Sequence, residues 1–459
     1  MTTSARAYST AWSFWALLAK QRELRRNAKM SRGELEAVKL QKFRRLVHYI
    51  QEKSPYYAEI VKERRINPDT CVPQDFPVLT KSILIANFDR ILTDRKITKH
   101  AIAEFLERST VPTELLFDKY HVLHTSGTSG EVGYFLYSER DWAHGIAALG
   151  RDLAQERPMR KRSGRFRIAY YATATGHHAF VSIMSSATRG IARWLVEPRF
   201  FEINSPLPRV VEQLNVFQPE AIGGYTTGLK ILAEQQNKGI LKLNPIAVTT
   251  AAEAMTPADK DMLESAFKCP AFNIYGTAEH LVQGIANPDG QTMTLHDDDI
   301  IYEIFDDHVL VTNLFNYTQP LIRYRMSDIL RPLAQTNPAS PYLVINSVIG
   351  RAEKVPVFTN RDGVDDFISP YTINGIFVPG ITRFQMQVAS KTKFIFKVVL
   401  DSSLDATQRA VALAGAGDRL REMLDRKLMD NVAFEVVATD DLPVNRRTRK
   451  FQLIVDAPA

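Results

Sequence analysis

Ten residues, HTSGTSGEVG from His124 to Gly133, combine three glycines with four hydroxyl side chains directly after the apolar pair Val122-Leu123. Glycine lets backbone N–H groups converge on an anion, and neighbouring hydroxyls add hydrogen bonds without bulk. A triphosphate suits such a loop. The Gly-Lys-Ser/Thr ending of a Walker loop is missing, which disfavours a P-loop NTPase, and on its own the stretch also reads as a surface turn. Four more polar clusters follow in chain order: YGTAEH (Tyr275 to His280), LIRYRMSDIL (Leu321 to Leu330), GRAEK (Gly350 to Lys354) and LPVNRRTRK (Leu442 to Lys450).

These clusters need a large frame to bring them together. At 459 residues the chain exceeds the size at which one hydrophobic core keeps growing, so two domains or more are expected. Hydrophobic residues make up 45% and charged residues 24%, which excludes a disordered or fibrous chain. A net charge of +7 suits small phosphorylated ligands and is too thinly spread to demand nucleic acid. Cys71 and Cys269 provide neither a disulfide framework nor a cysteine zinc site, so a reducing, cytoplasmic setting is expected. The apolar run Ala11 to Ala19 falls short of the roughly 20 residues of a membrane span and has no strongly basic leader. It reads as an amphipathic N-terminal helix rather than a cleaved signal, with Trp12, Phe14 and Trp15 also suited to contact with a membrane surface.

Ser31 and Glu34 have capping-box spacing, and Leu40, Phe43, Val47 and Ile50 predict a helix to about Gln51. Asp69 to Lys81 reads as loop, with a mixed helical stretch towards Asp94, so the first 110 residues are expected to be mainly helical. Short β-rich runs (RIAYYAT from Arg167, AVTTA from Ala247, AFNIYG from Ala271) then alternate with helical patterns such as Ala258 to Phe267, which favours a parallel sheet with crossover helices. DHVLVTNL and YLVINSV predict strands of an additional sheet or barrel. Past Gly350, RFQMQVA, KFIFKVVL and VAFEVVA read as strands, and Leu413, Leu420, Leu424 and Leu428 mark a helix, giving a compact α+β tail of about a hundred residues.

Taken in order, the five motifs resemble those of the adenylate-forming superfamily of acyl-CoA synthetases, peptide-synthetase adenylation domains and luciferases. Within it, LQKFRRLVHYIQEKSPYY and QPLIRYRMSDI look like the branch of phenylacetate-CoA ligases and CapK-like proteins. The resemblance spans roughly Leu35 to Val455 and lies in ordered spacing, since each motif alone is weak. It implies an α/β fold with a large N-terminal ATP- and acid-binding domain over 1–350, built of β-sheets with flanking helices. It also implies a small mobile α+β domain over 351–459 that carries the catalytic lysine. The implied chemistry joins a carboxylate to AMP with release of pyrophosphate, after which a thiol or another nucleophile displaces AMP.

The resemblance also implies roles. Thr125, Ser126, Gly127, Thr128 and Gly130 fall on the phosphate loop, although Glu131 stands near where the family places a lysine. Tyr275 and Gly276 match the adenine-site motif, and Glu279 matches the acid that helps place Mg²⁺, a hard cation favouring oxygen ligands. Ala278 replaces the usual hydroxyl before that acid, leaving Thr277 as the candidate for the α-phosphate. TTAAEAM makes Ala251, Ala252 and Glu253 adenine-pocket candidates, while Glu253 also reads as a cap for the helix starting near Pro257. Asp328 matches the ribose-binding aspartate, which as a carboxylate accepts hydrogen bonds from both hydroxyls. Its rival reading is a buried Arg325–Asp328 pair. Arg351 matches the arginine at the domain junction, and Glu353 or Lys354 marks the hinge.

His177 and His178, in YYATATGHHAF, lie where the family gates the carboxylate, with His178 taken as the gate. Lys450 falls on the catalytic lysine, although Arg449 replaces the glycine before it. At about 4 Å and an effective dielectric near 20, one such cation contributes roughly 4 kcal/mol against developing negative charge, about a thousandfold in rate. The leading expectation is therefore an AMP-forming ligase using ATP and Mg²⁺ on an aryl or acyl carboxylic acid, with coenzyme A as acceptor. The alternatives are transfer to an amine, hydroxyl or carrier-protein thiol, and a nucleotide-binding protein without catalysis. Nucleic acid is not an expected partner, and a homodimer is compatible with the sequence without being required by it.

Overall fold

The computed structural model describes residues 18–125, 133–155, 164–187, 195–326, 328–333, 340–346, 355–374, 376, 378–442 and 452–457. Val122 and Leu123 belong to β1 (Tyr120–His124), which pairs antiparallel with β2 (Tyr134–Ser138), His124 opposite Tyr134. The glycine-rich segment therefore spans two antiparallel strands, unlike a Walker loop, which runs from a strand into a helix.

The apolar runs downstream become parallel strands, as their lack of alternation predicts for strands covered on both faces. β3 (Phe166–Ala172) pairs with β4 (Val196–Glu202) on one side and with β5 (Ala221–Gly224) on the other. β6 (Ala247–Ala251) and β7 (Ala271–Thr277) continue from β5, all parallel. Helices Leu207–Phe217, Thr226–Asn237 and Pro257–Phe267 make the crossovers. Because the chain steps outward from β3 to β4 and then runs the other way from β5, the strand order reverses beside β3. In open α/β sheets, ligands bind at such a reversal, beyond the carboxyl ends of the strands.

β8 (Leu281–Ala286) and β9 (Thr292–Leu295) extend this sheet antiparallel from β7. β10 (Ile300–Ile304), β11 (Val309–Asn313) and β12 (Tyr324–Met326) form a separate antiparallel sheet, as the run DHVLVTNL predicts. The other run assigned to that extra sheet behaves differently. β13 (Val344–Asn346) returns to the large sheet and pairs with β9, Val344 opposite Thr294, to complete eight strands.

The N-terminal helix Arg32–Lys53 has the expected capping box between Ser31 and Glu34 and buries Leu35, Phe43, Leu46, Val47 and Ile50. It also delivers charge to the interior. The run His296 to Asp299 is buried, and buried ions persist only when paired. Asp297 meets Lys39 at 3.2 Å and Arg32 at 2.5 Å, Asp299 meets Lys42 at 2.6 Å and also Lys20, and Asp298 accepts from Asn27 at 3.0 Å.

Past the large sheets, β14 (Val357–Thr359) and β15 (Asp365–Phe367) form a hairpin. β16 (Ile381–Ser390), β17 (Lys393–Leu400), β18 (Ala433–Ala438) and β19 (Ile454–Asp456) form a four-stranded sheet in the order β18-β17-β16-β19. Helix Ala406–Arg426 packs on it, and Phe384, Met386, Phe394, Phe396, Leu420 and Leu424 share a core of their own. The hairpin is fastened to the large sheet. Asp366 Oδ2 accepts from the Leu207 amide at 2.9 Å, and Phe367 packs edge-on to Tyr171 in the core of the large sheet. Lys427, fully buried, donates to Asp366 Oδ1 at 3.1 Å and lies 4.3 Å over the Phe367 ring.

Candidate functional site

Four parallel strands end along one edge of the large sheet. β3 leads into 173–178, β5 into Tyr225 and Thr226, β6 into Ala252 and Glu253, and β7 into the turn 278–280. Close approach of strands is built in at β5. A Cβ on Gly224 would sit 2.2 Å from the Tyr171 carbonyl oxygen, so no larger residue fits between β3 and β5 there.

The β7 end brings together three of the candidate side chains, Tyr275, Glu279 and Asp328. Tyr275, buried, donates from Oη to Asp328 Oδ2 at 2.6 Å across 53 positions of sequence. Asp328 stands just beyond β12, only partly buried, which leaves its other oxygen for a further donor. Burial pushes the Tyr275 phenol well up, and the charge of Asp328 adds to the effect, so the group stays a donor at any working pH.

Glu279 lies within electrostatic reach of the phenols of Tyr137, Tyr275 and Tyr324. Desolvation pushes its carboxyl up to about 6. The charge of Asp328 acts in the same direction, while a backbone hydrogen bond, Lys81 and the Thr277 hydroxyl oppose it. Two carboxylates that repel one another are relieved by a cation, and one or two carboxylates beside phosphates are the usual protein share of a Mg²⁺ site. Among the described residues no group of three or more His, Cys, Asp or Glu side chains could hold a metal unaided. The donor set here fits Mg²⁺ carried on phosphate rather than a resident ion.

Thr277 sits at the strand end, and its Oγ1 accepts from the His280 amide at 3.2 Å and from Gln283 at 3.1 Å. Gly276 leaves no room for a Cβ, which would lie 2.8 Å from the Leu281 carbonyl. Tyr137 of β2 donates to the Ala278 carbonyl at 2.7 Å, and Phe135 packs edge-on to Tyr324. Through these contacts the hairpin that carries the glycine-rich segment is held against the turn after β7. Thr125 closes the base of that segment: its amide donates to the Gly133 carbonyl at 2.9 Å, and its Oγ1 accepts from the Gly133 amide at 3.2 Å. Ser126, Gly127, Thr128 and Gly130 lie outside the described residues, as do Arg351, Glu353, Lys354 and Lys450.

The β6 end differs in detail from the expectation. Ala251 is buried and Ala252 adopts φ +66°, a left-handed conformation that strains an alanine. Glu253 does not cap the helix at Pro257, because Thr256 does so in a capping box with Asp259. Its carboxylate instead accepts from the Thr227 amide at 2.8 Å and the Thr227 hydroxyl at 3.0 Å, bracing the first turn of Thr226–Asn237. Burial raises its pKa. Arg325 likewise departs from the rival reading for Asp328: it points to Asp307 at 3.5 Å, and both are well exposed.

The paired histidines separate into two roles. His177 is buried, and its Nε2 meets Ser109 Oγ at 3.1 Å, itself bonded to Glu114 at 2.6 Å, which makes it part of the framework. His178 is only partly buried and lies 4.5 Å, ring to ring, from His124 at the end of β1. Desolvation, reinforced by the neighbouring imidazoles, lowers His178 to about 3 and His124 to about 4, so both are neutral near pH 7. Gly176, at φ +84° with its amide bonded to Thr110, supplies the bend that brings His178 round. Nearby, Tyr170, Phe180 and Tyr225 form an aromatic wall, with centroids 6.0 and 5.7 Å apart in succession.

Sequence reasoning missed Lys81. The segment before it is docked beside β12: the Leu79 amide donates to Arg323 at 3.1 Å, and the Arg325 amide donates to Leu79 at 2.9 Å. This puts the Lys81 ammonium close enough to favour the ionised form of Glu279.

Among solved structures, 2-hydroxyisobutyryl-CoA ligase in complex with 2-HIB-AMP and CoA, in the thioesterification state, superposes with a TM-score of 0.60 at 19% identity. The match covers 94% of this chain and 91% of that one. The chain has the adenylate-forming enzyme fold. The same ligase in its postadenylation state with R3-HIB-AMP gives a TM-score of 0.56 at 18% identity, with the same coverage. Protein CapK of Staphylococcus aureus is 24% identical over 322 residues, 64% of this chain, and the match spans 63% of CapK's own length. No protein-family profile matches the chain. The resemblance read from the motifs thus holds for the fold, and the likeness to CapK agrees with the branch it pointed to. Among the described residues no helix is long and apolar enough to cross a membrane.

Proposed function

We propose that this chain is an ATP-dependent ligase that activates an aryl or acyl carboxylic acid as its adenylate and passes the acyl group to the thiol of coenzyme A. One observation carries the reading above the others. Tyr275 and Asp328, assigned to base and ribose from separate motifs, are hydrogen-bonded at 2.6 Å beside Glu279 at the carboxyl edge of the sheet. In the proposed reaction a carboxylate oxygen of the acid attacks the α-phosphorus of ATP, and the bond to the departing pyrophosphate breaks. A thiolate then attacks the acyl carbon and AMP leaves with the bonding electrons.

Asp328 accepts the ribose hydroxyls while the ring of Tyr275 lies against adenine, and Ala251, Ala252 and Gly276 leave space for the base. Glu253, engaged by Thr227, keeps the wall of that pocket in shape. Thr125, Ser126, Gly127, Thr128 and Gly130 hold the β- and γ-phosphates, Thr277 faces the α-phosphate, and Arg351 reaches the ribose. Glu279, with Lys81 beside it, would hold Mg²⁺, and that ion would supply charge neutralisation of the phosphates against an incoming carboxylate. His178, as a neutral imidazole, gates the acid without adding charge to the site. Lys450 is the cation that meets charge accumulating between carboxylate and α-phosphate, delivered by a swing of residues 351–459 about Glu353 or Lys354. That swing has to exchange the contact between Leu207 and Asp366. The 2-hydroxyisobutyryl-CoA ligase bound to CoA supports a thiol as acceptor.

The test is a product assay with ATP, Mg²⁺ and the accepted acid, offering coenzyme A, free amines, hydroxyl compounds and a carrier-protein thiol in turn. Acyl-CoA formed on the timescale of AMP release supports the reading. Acyl transfer only to an amine, hydroxyl or carrier keeps the adenylation and replaces the acceptor. ATP binding without turnover on any acid would leave a nucleotide-binding protein instead.

A further inference from the structure

A polar cavity of about 750 Å³ opens between the helix Glu139–Gln155 and the two N-terminal ones, 18–27 and Arg32–Lys53. Its wall carries six cations, Lys20, Arg22, Arg26, Lys42, Arg45 and Arg140, against two carboxylates, Glu23 and Asp299. The carboxylates are already engaged. Asp299 is bonded by Lys42 at 2.6 Å and by Lys20, and Glu23 meets Lys42 at 2.5 Å and Lys20 at 3.1 Å. Burial alone would raise Asp299, but the two lysines overcome it and hold the carboxyl well below its usual range.

The four arginines are a surplus. Among the described residues none of Arg22, Arg26, Arg45 or Arg140 has an acidic partner, and all four line the same mouth. Convergent guanidinium groups at one opening repel each other, and the arrangement becomes favourable when an anion with several oxygens accepts from more than one of them. Leu314, Phe315 and Tyr317 add apolar surface to the lining, and the Tyr317 phenol feels both Arg45 and Arg140. His144 also faces the cavity. Desolvation lowers it to about 4, with Lys20 and Arg140 acting in the same direction and Asp299 and Glu23 opposing them.

We infer that this cavity is a binding site for a phosphate-bearing anion, separate from the edge of the large sheet where Tyr275, Glu279 and Asp328 meet. The chemistry fits a free phosphorylated ligand or the headgroup of an anionic lipid, since both present clustered phosphate oxygens to arginine. The inference does not depend on the ligase reading.

His144 is the reporter. An anion held by Arg140 favours the imidazolium, so binding raises the His144 pKa from near 4 by about one unit. The full-length protein is titrated by NMR of its histidine rings, the His144 signals being assigned with His144→Gln. The probes are inorganic pyrophosphate, vesicles of phosphatidylglycerol in phosphatidylcholine, and phosphatidylcholine vesicles alone. The comparison is the triple variant Arg26→Gln/Arg45→Gln/Arg140→Gln, whose exposed positions spare the core.

If pyrophosphate shifts His144 in the parent and binds at least about tenfold more weakly in the triple variant, the site takes a free anion. Binding of anionic vesicles alone, lost in the triple variant, assigns it to a headgroup. Either response has to survive in Asp328→Asn, which alters the proposed nucleotide site and leaves this cavity intact. No response of His144 to either probe, or binding unchanged by the triple substitution, overturns the proposal.

Discussion

Replacing Glu279 by glutamine is expected to make the protein more stable and less active at once. The carboxyl is raised from 4.5 to about 6 by desolvation and by the neighbouring charge of Asp328. A shift of that size corresponds to about 2 kcal/mol at about 1.4 kcal/mol per unit, and partial solvent contact reduces it to about 1–2 kcal/mol. Because the folded pKa is the higher one, the folded protein gains from the protonated form. That gain is fully present below pH 4.5 and is lost as pH rises through about 6. Glutamine keeps the neutral shape at every pH. Urea unfolding should therefore show Glu279→Gln more stable than the parent by about 1–2 kcal/mol at pH 8, with the advantage shrinking through pH 6 and gone near pH 4.5. The same substitution removes a hard oxygen anion from the proposed Mg²⁺ site, so turnover should fall by about a hundredfold or more at saturating ATP. In the parent, Mg²⁺ and ATP stabilise the carboxylate, so the acidic limb of activity should lie at lower pH for the bound enzyme than for the free one. A variant that is destabilised at pH 8, or that retains full activity, refutes this account of Glu279.

Removing the Tyr275 hydroxyl with Tyr275→Phe takes away a charge-assisted hydrogen bond to a partly exposed carboxylate, so KM for ATP should rise about tenfold with little change in kcat, read from steady-state kinetics. Ala252→Gly relieves a left-handed alanine at the cost of a more flexible unfolded chain, and should raise stability in urea by about 0.5–1 kcal/mol. Lys427→Met leaves Asp366 buried without its cation and should cost about 3–5 kcal/mol, much of which returns in Lys427→Met/Asp366→Leu, measured by the same unfolding assay.

How legible the molecule was depended on how local each determinant is. The parallel strands β3, β6 and β7 and the helix capped by Ser31 were readable because apolar runs and capping spacing are short-range signals. Tyr275, Glu279 and Asp328 were readable as candidates through motif order, although only the fold brings Tyr275 to Asp328. Lys81 was not, since its approach to Glu279 depends on Leu79 docking beside β12, a long-range event that leaves no periodic trace. The burial of His296 to Asp299 likewise has no local cause, since Lys39, Lys42 and Lys20 arrive from more than two hundred residues away. For Glu253 only the rival reading, a cap for the helix at Pro257, fails, because its partner Thr227 lies upstream across a parallel crossover, whereas capping rules look downstream. β13 was assigned to the wrong sheet because alternation reveals a strand but not its neighbour.

In the proposed function, five separated segments assemble around one ATP so that a carboxylic acid becomes an acyl-adenylate. The most direct test is pyrophosphate release by the purified protein with ATP, Mg²⁺ and a broad panel of aryl and acyl acids, alongside Asp328→Asn and Lys450→Ala. Release should depend on a particular acid, with weakened ATP binding in Asp328→Asn and near-complete loss of release, ATP binding retained, in Lys450→Ala. No acid-dependent release from the parent protein anywhere in the panel, or release undiminished in both variants, would contradict it.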